Sequence, residues 1–159
     1  ISCPNTDDGK CLSDDLETLK KLILNFRDTS SRVIVVKVSP DSSDEEVLRV
    51  CEILSNISKT VINVGNSKYI KANTVGLTSK NFSKEGGGLS GKSLYKNTLK
   101  TVKMISSKYD IPIIATGGVS SYENVNELLK NGASLTGMAT LLVSDPFQIP
   151  LINYRLSDD

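Results

Sequence analysis

Residues 111–140 read IPIIATGGVSSYENVNELLKNGASLTGMAT, and the order of signals in this stretch decides the fold. The β-branched run from Ile111 to Thr116 predicts a buried strand running into two glycines, Gly117 and Gly118. A helix is expected from Ser120, with Glu123 three residues on in capping-box spacing, ending near Gly132. ASLTGMATLL, residues 133–142, then predicts a second strand. Strand, helix, strand with apolar strands is the signature of a parallel sheet with crossover helices.

The same alternation extends toward the N-terminus. DDLETLKKLILNF (14–26) places Leu16, Leu19, Leu22, Ile23 and Phe26 on one helical face, with Asp14 or Asp15 as the cap. SRVIVVKVSP (31–40) reads as a buried strand closed by Pro40. SSDEEVLRVCEIL (42–54) follows as a helix, with Ser42 and Glu45 or Ser43 and Glu46 in capping-box spacing. TVINVGN (60–66) is a further strand, and SLYKNTLKTVKMISSKY (93–109) a helix with Leu94, Thr98, Val102 and Ile105 on its packed face. Between them, residues 67–91 look irregular and include GGGLSG, a longer connection than compact domains ordinarily use. DPFQIPLINYRL (145–156) reads as a trailing segment.

No GxGxxG opens a helix, which argues against a dinucleotide-binding doubly wound sheet. The informative polar and glycine residues, Lys37, Asn63, Gly117, Gly118 and Thr140, fall at or near strand C-terminal ends, where a (β/α)8 barrel builds its site. A whole barrel of this kind needs roughly 250 residues. With 159 residues and about four strands, the expectation is α/β with this chain, residues 1–159, forming the second half of one (β/α)8 TIM barrel.

Composition narrows the chemistry. A net charge of +1 gives no electrostatic case for nucleic acid. Neither a membrane-spanning apolar run nor a signal-peptide pattern is present in the sequence. Three cysteines, Cys3, Cys11 and Cys51, lack framework spacing and read as reduced thiols, so a cytoplasmic location is expected. The chain has no histidine, which removes Ser-His and Cys-His nucleophile pairs and the common zinc sets; no metal site is expected. Proton transfer must therefore use Cys, Lys, Asp, Glu or Tyr.

Each candidate has two readings. Gly117–Gly118 with GMAT one helix later fits the phosphate-binding loops that follow the last two barrel strands, where backbone N–H groups and a helix start meet an anion. The same two glycines could also be a tight turn. Lys37 interrupts VIVVKV as a cation for an anionic ligand or a flavin, or as a strand-end lysine extending to solvent. Asn63 could read a carbonyl or an N–H, or form a turn beside Gly65 and Asn66. GGGLSG is either a flexible loop or a close backbone approach to a planar ligand. Cys3 is a base or a small buried hydrophobe; Cys11 and Cys51 keep the second role, with Cys51 on the packed stripe of its helix.

In order and spacing, SCPN, VKVSP, VIN, GGLSGKSL, IPIIATGGV and GASLTGMAT…DPF resemble the dihydroorotate dehydrogenases, across almost the whole chain. The resemblance implies an FMN-containing barrel that oxidises dihydroorotate to orotate in pyrimidine synthesis. By position, Cys3 would be the base, as in the soluble class 1 enzymes; the quinone-linked class usually has serine. Asn5 and Asn63 would bind substrate, Lys37 would stabilise charge on the reduced flavin, and Ser90 and Gly91 would lie beside it. Gly117, Gly118, Ala139 and Thr140 would surround its phosphate. Two positions depart from the family pattern: Ala139 stands where class 1 relatives usually carry glycine, and Val64 where a hydroxyl commonly follows the substrate asparagine. The resemblance also implies a homodimer completed by the remainder of the barrel. SDPFQIP and GGLSG are similar to the form that pairs with an iron–sulfur/FAD electron-transfer subunit and reduces NAD. On this reading ISCPNT is an active-site loop whose strand would precede Ile1. Two alternatives from other classes are a different phosphate- or flavin-binding barrel enzyme and a non-catalytic half-barrel interaction module.

Overall fold

The computed structural model describes residues 15–78 and 83–158. Its frame is a parallel sheet of four strands, β1 (Ile34–Val38), β2 (Thr60–Val64), β5 (Ile113–Thr116) and β6 (Leu135–Gly137), hydrogen-bonded in that order. Lys37 pairs in register with Asn63, Asn63 with Ile114, and Ala115 with Thr136, so the strand ends carrying the polar candidates are level with one another.

Helices α1 (Leu16–Thr29), α2 (Asp44–Ser55), α3 (Tyr95–Ser106), α4 (Tyr122–Lys130), α5 (Ala139–Ser144) and α6 (Gln148–Ser157) complete the frame. Period-two alternation sends Val36, Val38, Ile62, Val64, Ile113 and Ala115 into one core with Leu19, Ile23, Val50, Cys51, Leu54, Val102, Ile105, Leu128 and Ile152. Leu54 and Leu128 are wholly buried, and truncating either to alanine is worth about 2–5 kcal/mol. The opposite sheet face differs from the strands expected to be buried on both sides: Val35, Lys37 and Leu135 are exposed there. That is the face a closed barrel turns inward.

Local chemistry sets the boundaries. Asp15 caps α1, its carboxylate accepting from Thr18 N (3.0 Å) and Thr18 Oγ1 (2.6 Å), contacts that hold its pKa below the usual value. Of the two capping-box registers the sequence allows at α2, the structure takes Ser43–Glu46. Helix α4 begins one residue later than expected, with Ser121 as its cap accepting from Asn124 N. On α1 the buried stripe is Leu19 and Ile23; Leu22 and Phe26 are exposed at 40% and 54%. All four residues assigned to the packed face around α3, Leu94, Thr98, Val102 and Ile105, are buried.

Three expectations are corrected. The supposed irregular stretch holds an antiparallel pair, β3 (Lys68–Lys71) and β4 (Gly86–Leu89), plus a 3-10 turn at Ala72–Val75, and a second 3-10 turn, Lys92–Leu94, follows it. The last strand ends at Gly137, and the apolar run ATLLVS that follows is helix α5. The trailing segment is helix α6, with Ile152 in the core; Pro150 falls in its first turn, where a missing N–H leaves no helical bond unmade.

Candidate active site

At the C-terminal ends of the strands the connecting loops enclose a cavity of about 420 Å3. Its wall includes Lys37 from β1, Asn66 and Ser67 after β2, Ser90 and Gly91 after β4, Gly117 and Gly118 after β5, and Ala139 and Thr140 at the start of α5. Seven residues singled out in the sequence, Lys37, Ser90, Gly91, Gly117, Gly118, Ala139 and Thr140, thus meet around one space. Cys3 and Asn5 lie outside the described residues.

Glycine is dictated here by backbone crowding. A Cβ on Gly65 would stand 1.4 Å from the carbonyl oxygen of Thr116, so only glycine lets the loop after β2 pass the end of β5. At Gly118, with φ +74, a Cβ would come within 2.4 Å of Tyr95 N and 2.9 Å of Gly91 O. Three backbone segments that are distant in sequence therefore touch at the cradle. Thr98, buried at the start of α3, donates its hydroxyl toward Gly117 O at 3.0 Å and fixes that loop from below. Neither α3 nor α5 has a side-chain cap at its N-terminus. At α5 helix geometry leaves the first N–H groups without an intrahelical acceptor, whereas at α3 the Tyr95 N–H already bonds to Lys92 O of the preceding 3-10 turn.

Lys37 is an exposed cation on the open sheet face rather than a buried charge, and its Nζ donates to Asn66 Oδ1 at 3.3 Å. Asn63 sits beside it on β2 but does not line the cavity wall; its Oδ1 is buried with no hydrogen-bond partner among the described residues. An orphaned carbonyl of this kind is costly unless a ligand donor satisfies it. Val64 turns the other way and is buried in the core, so on this backbone a hydroxyl at 64 would face the helices. Cys51 is completely buried, and desolvation pushes its thiol up to about 12. It is inert packing, as its helical stripe suggested.

The sequence reading did not pick out Thr116, Ser120, Asp145 or Gln148 as cavity residues. Ser120 carried only a helix-start signal, while Asp145 and Gln148 arrive through the unforeseen fold-back of α6; Gln148 Nε2 donates to Asp145 Oδ2 at 3.1 Å. Lys92 also lines the cavity, one residue beyond Gly91 in a segment already noted for its glycines.

Parallel strands with polar and glycine residues gathered in their C-terminal loops define a β/α-barrel segment. The profile of the dihydroorotate dehydrogenase family matches residues 1–158. The chain belongs to that family. It is 32% identical to the dihydroorotate dehydrogenase (quinone) of Christiangramia forsetii over 165 residues, covering 98% of this chain and 47% of that protein. Against the mitochondrial dihydroorotate dehydrogenase (quinone) of Schizosaccharomyces pombe it is 30% identical, covering the whole chain and 36% of the relative. The fold superimposes on the dihydroorotate dehydrogenase of Eimeria tenella, solved in complex with ferulenol, with a TM-score of 0.73 at 22% identity, over 90% of this chain and 44% of that one. The chain therefore spans less than half the length of these relatives. Members of the family are FMN-binding oxidoreductases of pyrimidine synthesis.

Proposed function

We propose that this chain supplies the FMN-phosphate and redox-face half of an enzyme that oxidises dihydroorotate to orotate. The observation that carries the reading is the convergence of Lys37, Ser90, Gly91, Gly117, Gly118, Ala139 and Thr140 on one cavity, in a chain matched end to end by the family profile. What supports FMN here is a cavity of about 420 Å3 walled by backbone at Gly91, Gly117 and Gly118 and by the cation Lys37. In this assignment backbone groups at Gly117, Gly118, Ala139 and Thr140 hold the phosphate, Ser90 and Gly91 lie along the ring, and Lys37 offsets its negative charge.

Bound FMN supplies a two-electron acceptor for hydride. The protein's part is proton removal and positioning. Cys3, as thiolate, takes the proton from C5 of dihydroorotate while the C6–H bonding pair leaves as hydride, and the C5–C6 double bond of orotate forms. Asn5 and Asn63 bind substrate amide and carbonyl groups. The relatives' names favour a quinone as the final acceptor, in place of the NAD-linked form that SDPFQIP and GGLSG suggested.

The test is anaerobic addition of dihydroorotate to the full-length protein, followed by a choice of acceptors. One orotate per flavin reduced, with reoxidation by a short-chain quinone faster than by NAD or fumarate, is expected. Absence of orotate would overturn the reaction; preferential reoxidation by NAD would overturn the acceptor.

A further inference from the structure

Tyr95 opens α3 with its backbone against Gly118 and its hydroxyl on another helix. The phenol donates to Glu127 Oε2 of α4 at 2.6 Å, with the carbonyl of Asn124 more distant at 3.3 Å. Asn124, one turn before Glu127 on α4, accepts through Oδ1 from both Ser120 N (3.2 Å) and Ser120 Oγ (3.3 Å). Ser120 lines the cavity. The contacts form a closed circuit around the double glycine: cradle backbone, Tyr95, Glu127, along α4 to Asn124, and back to Ser120 on the cavity wall. No step of the reaction uses this circuit.

We propose that Tyr95 is a positioning residue that sets the width of the phosphate cradle, through its hydrogen bond to Glu127 and the Asn124–Ser120 contact on the same helix. The inference rests on the cradle reading above and extends it to residues that touch no ligand. A phenol-to-carboxylate bond is charge-assisted and therefore short and directional. Burial, reinforced by the Glu127 carboxylate, pushes the Tyr95 phenol up to about 12, so it stays a donor across the working pH range. Without the Glu127 bond, the ring keeps only the longer contact to the Asn124 carbonyl on α4 and its packing against the core. The start of α3 is then held less firmly beside Gly118, where a Cβ would stand only 2.4 Å from Tyr95 N.

The readout that separates cradle geometry from general stability is the ratio of FMN to riboflavin affinity, because riboflavin lacks the phosphate. In the flavin-stripped full-length protein, Tyr95→Phe and Glu127→Ala are each expected to lower that ratio roughly threefold to tenfold while leaving riboflavin affinity unchanged, the range set by a partly exposed charge-assisted bond. Glu127→Gln, which keeps an acceptor oxygen, is expected to hold most of the selectivity. If the unmodified protein prefers FMN and neither Tyr95→Phe nor Glu127→Ala changes the preference, the positioning role is wrong and the cradle stands. Equal affinity of the unmodified protein for FMN and riboflavin would remove the cradle itself, and the inference with it.

Discussion

Gly118→Ala tests the cradle most sharply, because the structure contains its own control. Gly118 and Gly76 share the same φ of +74, but a Cβ on Gly76 meets nothing within 4 Å, whereas one on Gly118 meets Tyr95 N at 2.4 Å, Gly91 O at 2.9 Å and Tyr95 Cα at 2.9 Å. Gly76→Ala therefore measures the conformational term alone, about 1 kcal/mol for an L-residue held in the left-handed region. Gly118→Ala adds a backbone overlap. Real Cβ contacts hardly ever fall under 3.0 Å, so Tyr95 N would have to retreat by about 0.6 Å. Forcing extra volume into packed structure costs about 1–3 kcal/mol, which brings the expected total to about 2–4 kcal/mol. Urea unfolding followed by circular dichroism gives both values, and flavin retention on gel filtration reports the site. The expected result is that Gly118→Ala is the more damaging by about 1–3 kcal/mol and releases FMN, while Gly76→Ala keeps it. Equal losses for the two variants, with FMN retained in both, would refute the argument that backbone crowding builds the site.

Lys37→Ala should weaken FMN retention or slow flavin reduction by dihydroorotate, measured by equilibrium dialysis and anaerobic stopped flow; normal values for both would remove its charge-stabilising role. Cys3→Ser should slow flavin reduction and move its pH optimum upward, since a hydroxyl is the weaker acid, and an unchanged rate profile would take Cys3 out of the mechanism. Cys51 carries a pH prediction with a definite sign: its folded thiol lies above the ordinary value of 9.0, at about 12, so the stabilisation is intact below pH 9 and is lost as pH rises toward 12. Urea midpoints across that window should fall more steeply for the unmodified protein than for Cys51→Ala, and parallel curves would contradict the assignment.

Much of the frame could be read from residues alone because it depends on local pattern. The β-branched runs at Ile34–Val38, Thr60–Val64 and Ile113–Thr116 are strands, and the stripe from Leu94 to Ile105 is buried as its spacing requires. What failed was either locally degenerate or long-range. ATLLVS is a short apolar run that periodicity cannot assign to strand or helix, and the structure makes it α5. GGGL offers no side chains to mark a strand, and its pairing with Lys68–Lys71 depends on a partner 18 residues or so away, steadied where Asp41 accepts from Tyr69 N at 3.0 Å. Prolines disguised α6, since only position within the first turn distinguishes a tolerated proline from a helix breaker.

The site divides along the same line. Glycines and a lysine at strand ends announce themselves, because their residue types are out of place in an apolar strand or a helix start. Tyr95 and Glu127 give no such sign; each is an ordinary helix residue until the fold brings α3 against α4. Asn63 and Val64 show what alternation adds. Adjacent in sequence, they face opposite sides of β2, one with an orphaned carbonyl oxygen and the other in the core.

The most direct test of the central claim is the visible absorption spectrum of the full-length protein, recorded without oxygen before and after dihydroorotate is added. A flavin band that bleaches on addition is the predicted result. A protein that takes up no FMN, or holds FMN that dihydroorotate leaves oxidised, would contradict the account.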